Sequence, residues 1–193
     1  AEGCTEDRAR HGPGSKVTID GTSTVHDWTV EGLIIGGTVE VGPNFSTDPA
    51  VAKVGKVDLK STVFIPVRSL KSMKEGKPYS TAMDDIMYGK LKMEEHKNIE
   101  FKLVSMTLKE APKAGAPFLF EAEGELKVAG AAKTITMPVE MTAPEANRLK
   151  FSGKVTAKMT DFGIEPPAPT VGLGLIKTGD EIKLGFDWIV GKR

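Results

Sequence analysis

From Lys16 onward, apolar and polar side chains alternate with a period of two along most of the chain, the pattern of strands that bury one face and wet the other. The cleanest run spans residues 118–130. There Phe118, Phe120, Ala122, Gly124, Leu126 and Val128 share one face, while Glu121, Glu123, Glu125 and Lys127 share the other. Such a segment is a half-buried antiparallel strand. The same rhythm turns Ile135, Met137, Val139 and Met141 inward in the next strand. In the one after, Leu149, Phe151, Gly153, Val155, Ala157 and Met159 face inward, with Lys150, Lys154 and Lys158 toward water. The last strand turns Ile182, Leu184, Phe186, Trp188 and Val190 inward, and an earlier one Val57, Leu59, Val63 and Ile65.

Two segments keep the apolar content but switch parity. In residues 27–41 the switch falls near Gly36 and Gly37; in residues 98–109 the inward set passes from Ile99, Phe101 and Leu103 to Val104, Met106 and Leu108. A bulge or sharp bend at each place accounts for both. A short first strand over residues 16–24 brings the total to roughly eight, and the links at 130–133 and 144–147 read as hairpins. Residues 66–92 break the rhythm. Val67, Leu70 and Met73 form one stripe, and Met83, Ile86, Met87 and Lys90 to Leu91 another, predicting two short helices split at residues 76–78. The proline-rich stretch EPPAP at 165–169, followed by VGLGLI, reads as an irregular lip over one barrel end. The expected fold is all-β: an elongated eight-stranded antiparallel barrel with one or two short helices inserted at about 66–92.

A length of 193 residues suits one domain, expected over residues 16–193 behind a polar, glycine-rich leader at 1–15. Twenty-six basic and 26 acidic side chains cancel, so no net field draws the chain to phosphate backbones, which argues against a nucleic-acid partner. Cys4 is the only cysteine, so the fold has no internal disulfide and no Cys-x-x-Cys zinc site. A start at Ala1 with a cysteine close behind suits a mature exported protein, periplasmic or secreted, lipid-anchored through Cys4 if membrane-associated at all. A chain trimmed for expression looks the same.

An eight-stranded barrel has just enough interior to be filled by side chains or to hold one small ligand. Small residues at Ser61, Ala122, Gly124, Gly153 and Ala157 interrupt the inward faces and favour the second arrangement; barrel taper and coiling are the other account of them. The inward faces carry no charge at mid-strand, so the implied guest is hydrocarbon. The lining expected for a hollow barrel is Trp28, Leu59, Ser61, Val63, Phe101, Phe120, Ala122, Gly124, Leu126, Val139, Met141, Phe151, Gly153, Val155, Ala157, Met159, Phe162, Phe186 and Trp188. His26, beside Asp27 in the opening hairpin, and Asp161, on the inward parity at a strand end, are candidate polar contacts at the mouth.

No catalytic or metal constellation is legible. His11 belongs to the leader, and His96 follows Glu94 and Glu95 in a charged connection that reads as solvated. No G-x-S-x-G elbow is present. The paired acids Asp84–Asp85 and Glu94–Glu95 are adjacent, so they diverge on a helix or strand. The VGLGL glycines lack the Lys-Ser/Thr ending of a phosphate loop. No metal, cofactor or enzymatic activity is expected.

Four blocks carry a resemblance that covers nearly the whole chain beyond the leader. They are GTSTVHDWTVEG at 21–32, MDDIMYGKLKMEEHKNIEF at 83–101, GELKVAGAAKTITMPV at 124–139, and DFGI with VGLGLIKTGDEIKLGFDW at 161–188. In order and spacing the chain resembles the YceI-like family. That resemblance implies a lipocalin-shaped barrel with helices between early strands and a tunnel that takes a polyisoprenoid or related long-chain amphiphile. It also implies an exported bacterial protein, often a homodimer. Two functions stay open at this point: a lipid-binding or carrier protein, and a stress-response or protein-interaction module with a filled barrel and no cargo.

Overall fold

The computed structural model describes residues 14–110, 112–168 and 176–191. In chain order its elements are β1 (Lys16–Ser23), β2 (Trp28–Gly32), β3 (Gly36–Val41), β4 (Gly55–Lys56), β5 (Leu59–Pro66), β6 (Lys71–Lys74), β7 (Lys77–Pro78), α1 (Thr81–Lys90), β8 (Asn98–Glu110), β9 (Phe118–Val128), β10 (Ala131–Glu145), β11 (Arg148–Lys158) and β12 (Thr178–Gly191). Short 3-10 turns occupy Val67–Ser69 and Met159–Phe162.

All strands join one antiparallel sheet in the order β3-β5-β8-β9-β10-β11-β12-β1-β2-β6-β7, with β4 beside β8. β2 pairs with β1 and β3 pairs with β5, yet only residues 33–35 separate β2 from β3. One run of chain therefore changes partners halfway and closes the sheet into a barrel. Taken as one strand, β2 and β3 restore the expected eight long strands; β4, β6 and β7 are additional pieces of two to four residues. The parity switch near Gly36 and Gly37 marks this change of partner. Gly37 holds φ at +144°, and a Cβ there would strike the Thr62 carbonyl across the pair.

The second parity switch is a bulge. Leu103 faces Gly124 and Ser105 faces Glu123, which leaves Val104 as the extra residue. Val104 is 65% exposed, so the inward set resumes at Met106 rather than at Val104 as the alternation suggested. The β9–β10 link turns at Ala129 and Gly130, both with positive φ, the geometry of a two-residue hairpin whose twist matches its strands.

Residues 66–92 hold one helix rather than two. Val67 and Leu70 are buried by a single 3-10 turn, after which β6 pairs with β2, covering an edge that would otherwise stay bare. Glu75 and Gly76, both at positive φ, then reverse the chain into β7. A three-residue apolar spacing is satisfied by one turn, so it did not require a helix. The true helix, α1, starts at Ser80, whose hydroxyl accepts from the Met83 N–H at 3.2 Å. It is pinned to this strap by buried Asp84, which accepts from the Ser72 N–H at 2.7 Å. Tyr88 adds to this, its hydroxyl donating to the Leu70 carbonyl at 2.7 Å. The Lys71 ammonium donates to the same hydroxyl at 2.8 Å, and that bond raises the Lys71 pKa above its usual value.

The core is uneven along the barrel. At the end formed by the start of β9 and the end of β10, Leu108, Phe118, Phe120, Met141 and Leu149 are all buried, Met141 completely, with the Phe118 and Phe120 rings stacked at 6.3 Å. The barrel also begins earlier than expected. Ser15 is buried, and its hydroxyl accepts from the Ile189 N–H at 3.1 Å.

Candidate ligand-binding cavity

Above that packed floor the barrel is hollow, enclosing about 500 Å³. Met106, Ala122, Val139, Phe151 and Trp188 line its deep end, and the Phe151 and Trp188 rings lie 6.2 Å apart. Val17, Ile19, Val30, Ile35, Val39, Leu59, Val63, Ile65, Ile135, Met137, Val155, Leu184 and Phe186 line the middle. Along β12 the wall runs from Thr178 to Trp188, eleven residues whose ten steps cover roughly 33 Å of strand, so the cavity is long. It reaches the surface where Val25, Tyr79 and Ile86, respectively 61%, 46% and 41% exposed, belong to the same wall. Met83, Met87, Lys90 and Leu91 bring one face of α1 over the opening, and Pro167 and Ile176 border it from the β11–β12 connection. The rest of the lip predicted there, residues 169–175, lies outside the described residues, as do Cys4 and His11.

The wall is almost wholly hydrocarbon. Its polar side chains are Ser23, His26, Tyr79, Lys90 and Thr178 toward the opening and Ser61 farther in. The Ser61 hydroxyl is buried without a hydrogen-bond partner among the described residues. His26 Nδ1 lies 2.8 Å from the Asp27 carbonyl; a carbonyl only accepts, so Nδ1 is the donor in this contact, and Nε2 has no hydrogen-bond partner among the described residues. The imidazole also meets the Tyr79 ring edge-on at 6.2 Å, tying the β1–β2 loop to the segment before α1. Among the described residues, no group of three or more His, Cys, Asp or Glu side chains could hold a metal ion.

Of the positions expected in the lining, Trp28, Leu59, Ser61, Val63, Phe101, Ala122, Leu126, Val139, Phe151, Val155, Met159, Phe162, Phe186 and Trp188 are in the cavity wall. Phe120 and Met141 are not; they build the floor beneath it. Ala157 packs into a side cluster with Leu126, Met159 and Phe162. Gly124 and Gly153 do not face the void either. A Cβ on Gly124 would collide with the Phe101 ring and come within 2.7 Å of the Lys102 carbonyl oxygen, and one on Gly153 would sit 2.7 Å from the Phe186 ring. Each glycine makes room for an aromatic side chain of the neighbouring strand, and those rings, not the glycines, form the wall.

Asp161 is not a mouth contact. The 3-10 turn at Met159–Phe162 ends the alternation, and the Asp161 carboxylate pairs with the Lys133 ammonium at 2.8 Å, which holds its pKa below the usual value. His96 is half-buried, with its imidazole packed over the β9–β10 turn at Gly130 rather than free in solvent. The expected lining also left out strand residues of the wall, among them Val17, Ile19, Val30, Ile35, Ile135, Met137 and Leu184, as well as those of α1, together with Val25 and Tyr79. The methionine-rich stripe at Met83, Ile86 and Met87 was a signal for those of α1: a flexible apolar helix face suits a variable guest as well as it suits a core.

A curled antiparallel barrel, solid at one end and lined with hydrocarbon toward the other, defines the lipocalin-like class. The sequence profile of the YceI-like domain matches residues 13–189, and the chain belongs to this family. Its fold is similar to that of BcnA from Burkholderia cenocepacia, with 18% identity and a TM-score of 0.64 over 91% of this chain and 96% of that one. A polyisoprenoid binding domain from Saccharophagus degradans gives a TM-score of 0.66 at 11% identity, covering 93% of this chain and 94% of that one. The YceI protein of Campylobacter jejuni gives 0.56 at 18% identity, over 85% and 84%. A search of curated protein sequences returns no match.

Proposed function

We propose that the protein binds one long-chain amphiphilic lipid, a polyisoprenoid, an isoprenoid quinone or a fatty-acid-like chain, in the hollow end of the barrel and carries it shielded from water. The observation that carries this reading is a long, apolar cavity of about 500 Å³, floored at one end and open at the other. Each methylene buried there gains about 0.8 kcal/mol, so affinity accumulates along the chain without any covalent step. A floor beneath Val139 and Phe151 admits the guest tail first, with its polar end left at the opening. The Saccharophagus domain, described as polyisoprenoid binding, shares the fold and supports the same class of guest. A periplasmic or secreted setting suits such a carrier. The filled-barrel alternative does not account for the cavity.

Native mass spectrometry of the purified protein, followed by organic extraction, tests the proposal. A co-purifying lipid, or uptake of a fluorescent isoprenoid at one molecule per chain, is the expected result. Reproducible absence of both overturns it.

A further inference from the structure

The cavity wall is uncharged except at one place. Among the described residues, Lys90, half-buried in the last turn of α1, is the only ionised side chain in the lining, and no Asp or Glu joins it there. Being unpartnered is common for the lysines on the outer surface, and what sets Lys90 apart is its place in an apolar wall. Lys90 makes no ion pair or hydrogen bond among the described residues. Its neighbours one turn back, Ile86 and Met87, are themselves wall residues, so no acid sits at helical spacing to balance it. The carboxylates nearest in sequence are engaged or directed elsewhere. Asp84 is buried against the Ser72 N–H, Asp85 is exposed on another helix face, Glu94, beyond the helix end, lies 3.7 Å from Lys97, and Glu95 borders a separate cleft with Lys97 and Gly130. The helix dipole favours a cation in this turn, but it does not explain why that cation should border an apolar opening without a counter-charge.

On the reading that the cavity takes a lipid tail first, we infer that the lipid is anionic, a single-tailed carboxylate or phosphate whose head group pairs with Lys90 at the mouth. A charge bordering a water-poor wall attracts an anion more strongly than a solvated surface lysine does. The neighbouring groups are compatible: Tyr79 offers a hydroxyl with no partner among the described residues, and no acidic side chain in the wall repels the head.

Binding can be read by intrinsic fluorescence, because the chain's two tryptophans, Trp28 and Trp188, both lie in the cavity wall. The intact protein is titrated with palmitate against hexadecanol, and with farnesyl phosphate against farnesol. We expect each anion to bind about tenfold tighter than its alcohol at low salt, with the preference shrinking as ionic strength rises. Lys90→Met, which keeps the apolar stem, should bring anion and alcohol to within about twofold; Lys90→Arg should restore the preference. Comparison of the two anions tells carboxylate from phosphate. Equal affinity of anion and alcohol for the native protein overturns the inference, as does a salt-independent preference or one that survives in Lys90→Met. If Ser61→Ala, and not Lys90→Met, removes the preference, the head lies deep in the barrel and the inference fails. Alcohols that bind normally keep the lipid reading alive in all these cases; no response to any of the four lipids defeats both.

Discussion

The two ends of this barrel are built from the same strands with the same alternation, yet one is solid and the other hollow. On β10, Met141 is completely buried against Phe118 and Leu149, whereas Val139, two residues along the same face, borders the void. Strand pattern does not make the difference. At the solid end large side chains from facing strands meet across the axis. At the hollow end the space they would fill is bordered by α1 and loops, which hold exposed apolar residues such as Val25 and Ile86 in the same wall. Stability is thus concentrated where no guest goes, and capacity where little packing is lost.

The sharpest break of that contrast is a cavity cut into the floor. Met141→Ala should cost about 2–5 kcal/mol in urea unfolding and leave lipid stoichiometry unchanged in the molecules that remain folded. A loss below 1 kcal/mol would show that the floor is not the packed end. Gly124→Leu comes next. It drives a side chain into the Phe101 ring and the Lys102 carbonyl, and overpacking of this kind costs about 1–3 kcal/mol. Asp84→Ala leaves the Ser72 N–H buried without its acceptor, at about 1–3 kcal/mol. It should also loosen α1, visible as faster amide exchange across Thr81–Lys90 and faster lipid release. Ser61→Leu fills the hollow end and removes an unpartnered hydroxyl, so stability should change by less than about 1 kcal/mol while lipid uptake falls. Preserved uptake in this variant would place the guest elsewhere.

The smallest expected effect concerns acid. The Asp180 carboxylate accepts from the Thr160 hydroxyl at 2.7 Å and its N–H at 2.9 Å, which lowers its pKa from the ordinary 3.8. A lowered folded-state pKa contributes stability above the unfolded value, lost as pH falls through the folded one. Thermal midpoints of the native chain should therefore drop below about pH 4 slightly more steeply than those of Asp180→Asn. Identical acid limbs would remove Asp180 from the account.

Alternation made the barrel legible because a period of two assigns every residue to inside or outside. It says nothing of height along the axis. Phe120 and Val139 face each other in register, and both read as inward, yet one builds the floor and the other borders the void. Height depends on strand tilt and on what the facing strands supply. The glycines misled for a related reason: a missing side chain is visible in the sequence, but the ring that covers it belongs to another strand, as Phe186 does for Gly153. In residues 66–92 the spacing of Val67, Leu70 and Met73 fits one turn as well as a helix. Only the open edge of β2 decides for a strand at Lys71–Lys74.

The pairing of β1 with β12, where Lys16 lies opposite Asp187, has a consequence for how the chain acquires its shape. The first strand cannot find its partner until nearly the entire sequence has been made, so contacts of maximal sequence separation must form for the wall to be complete. Chains of this kind fold in milliseconds to seconds rather than microseconds. During that interval the inner surface lies open along its whole length, and a long-chain molecule present then could be enclosed as the last strand zips into place, without ever passing the finished opening.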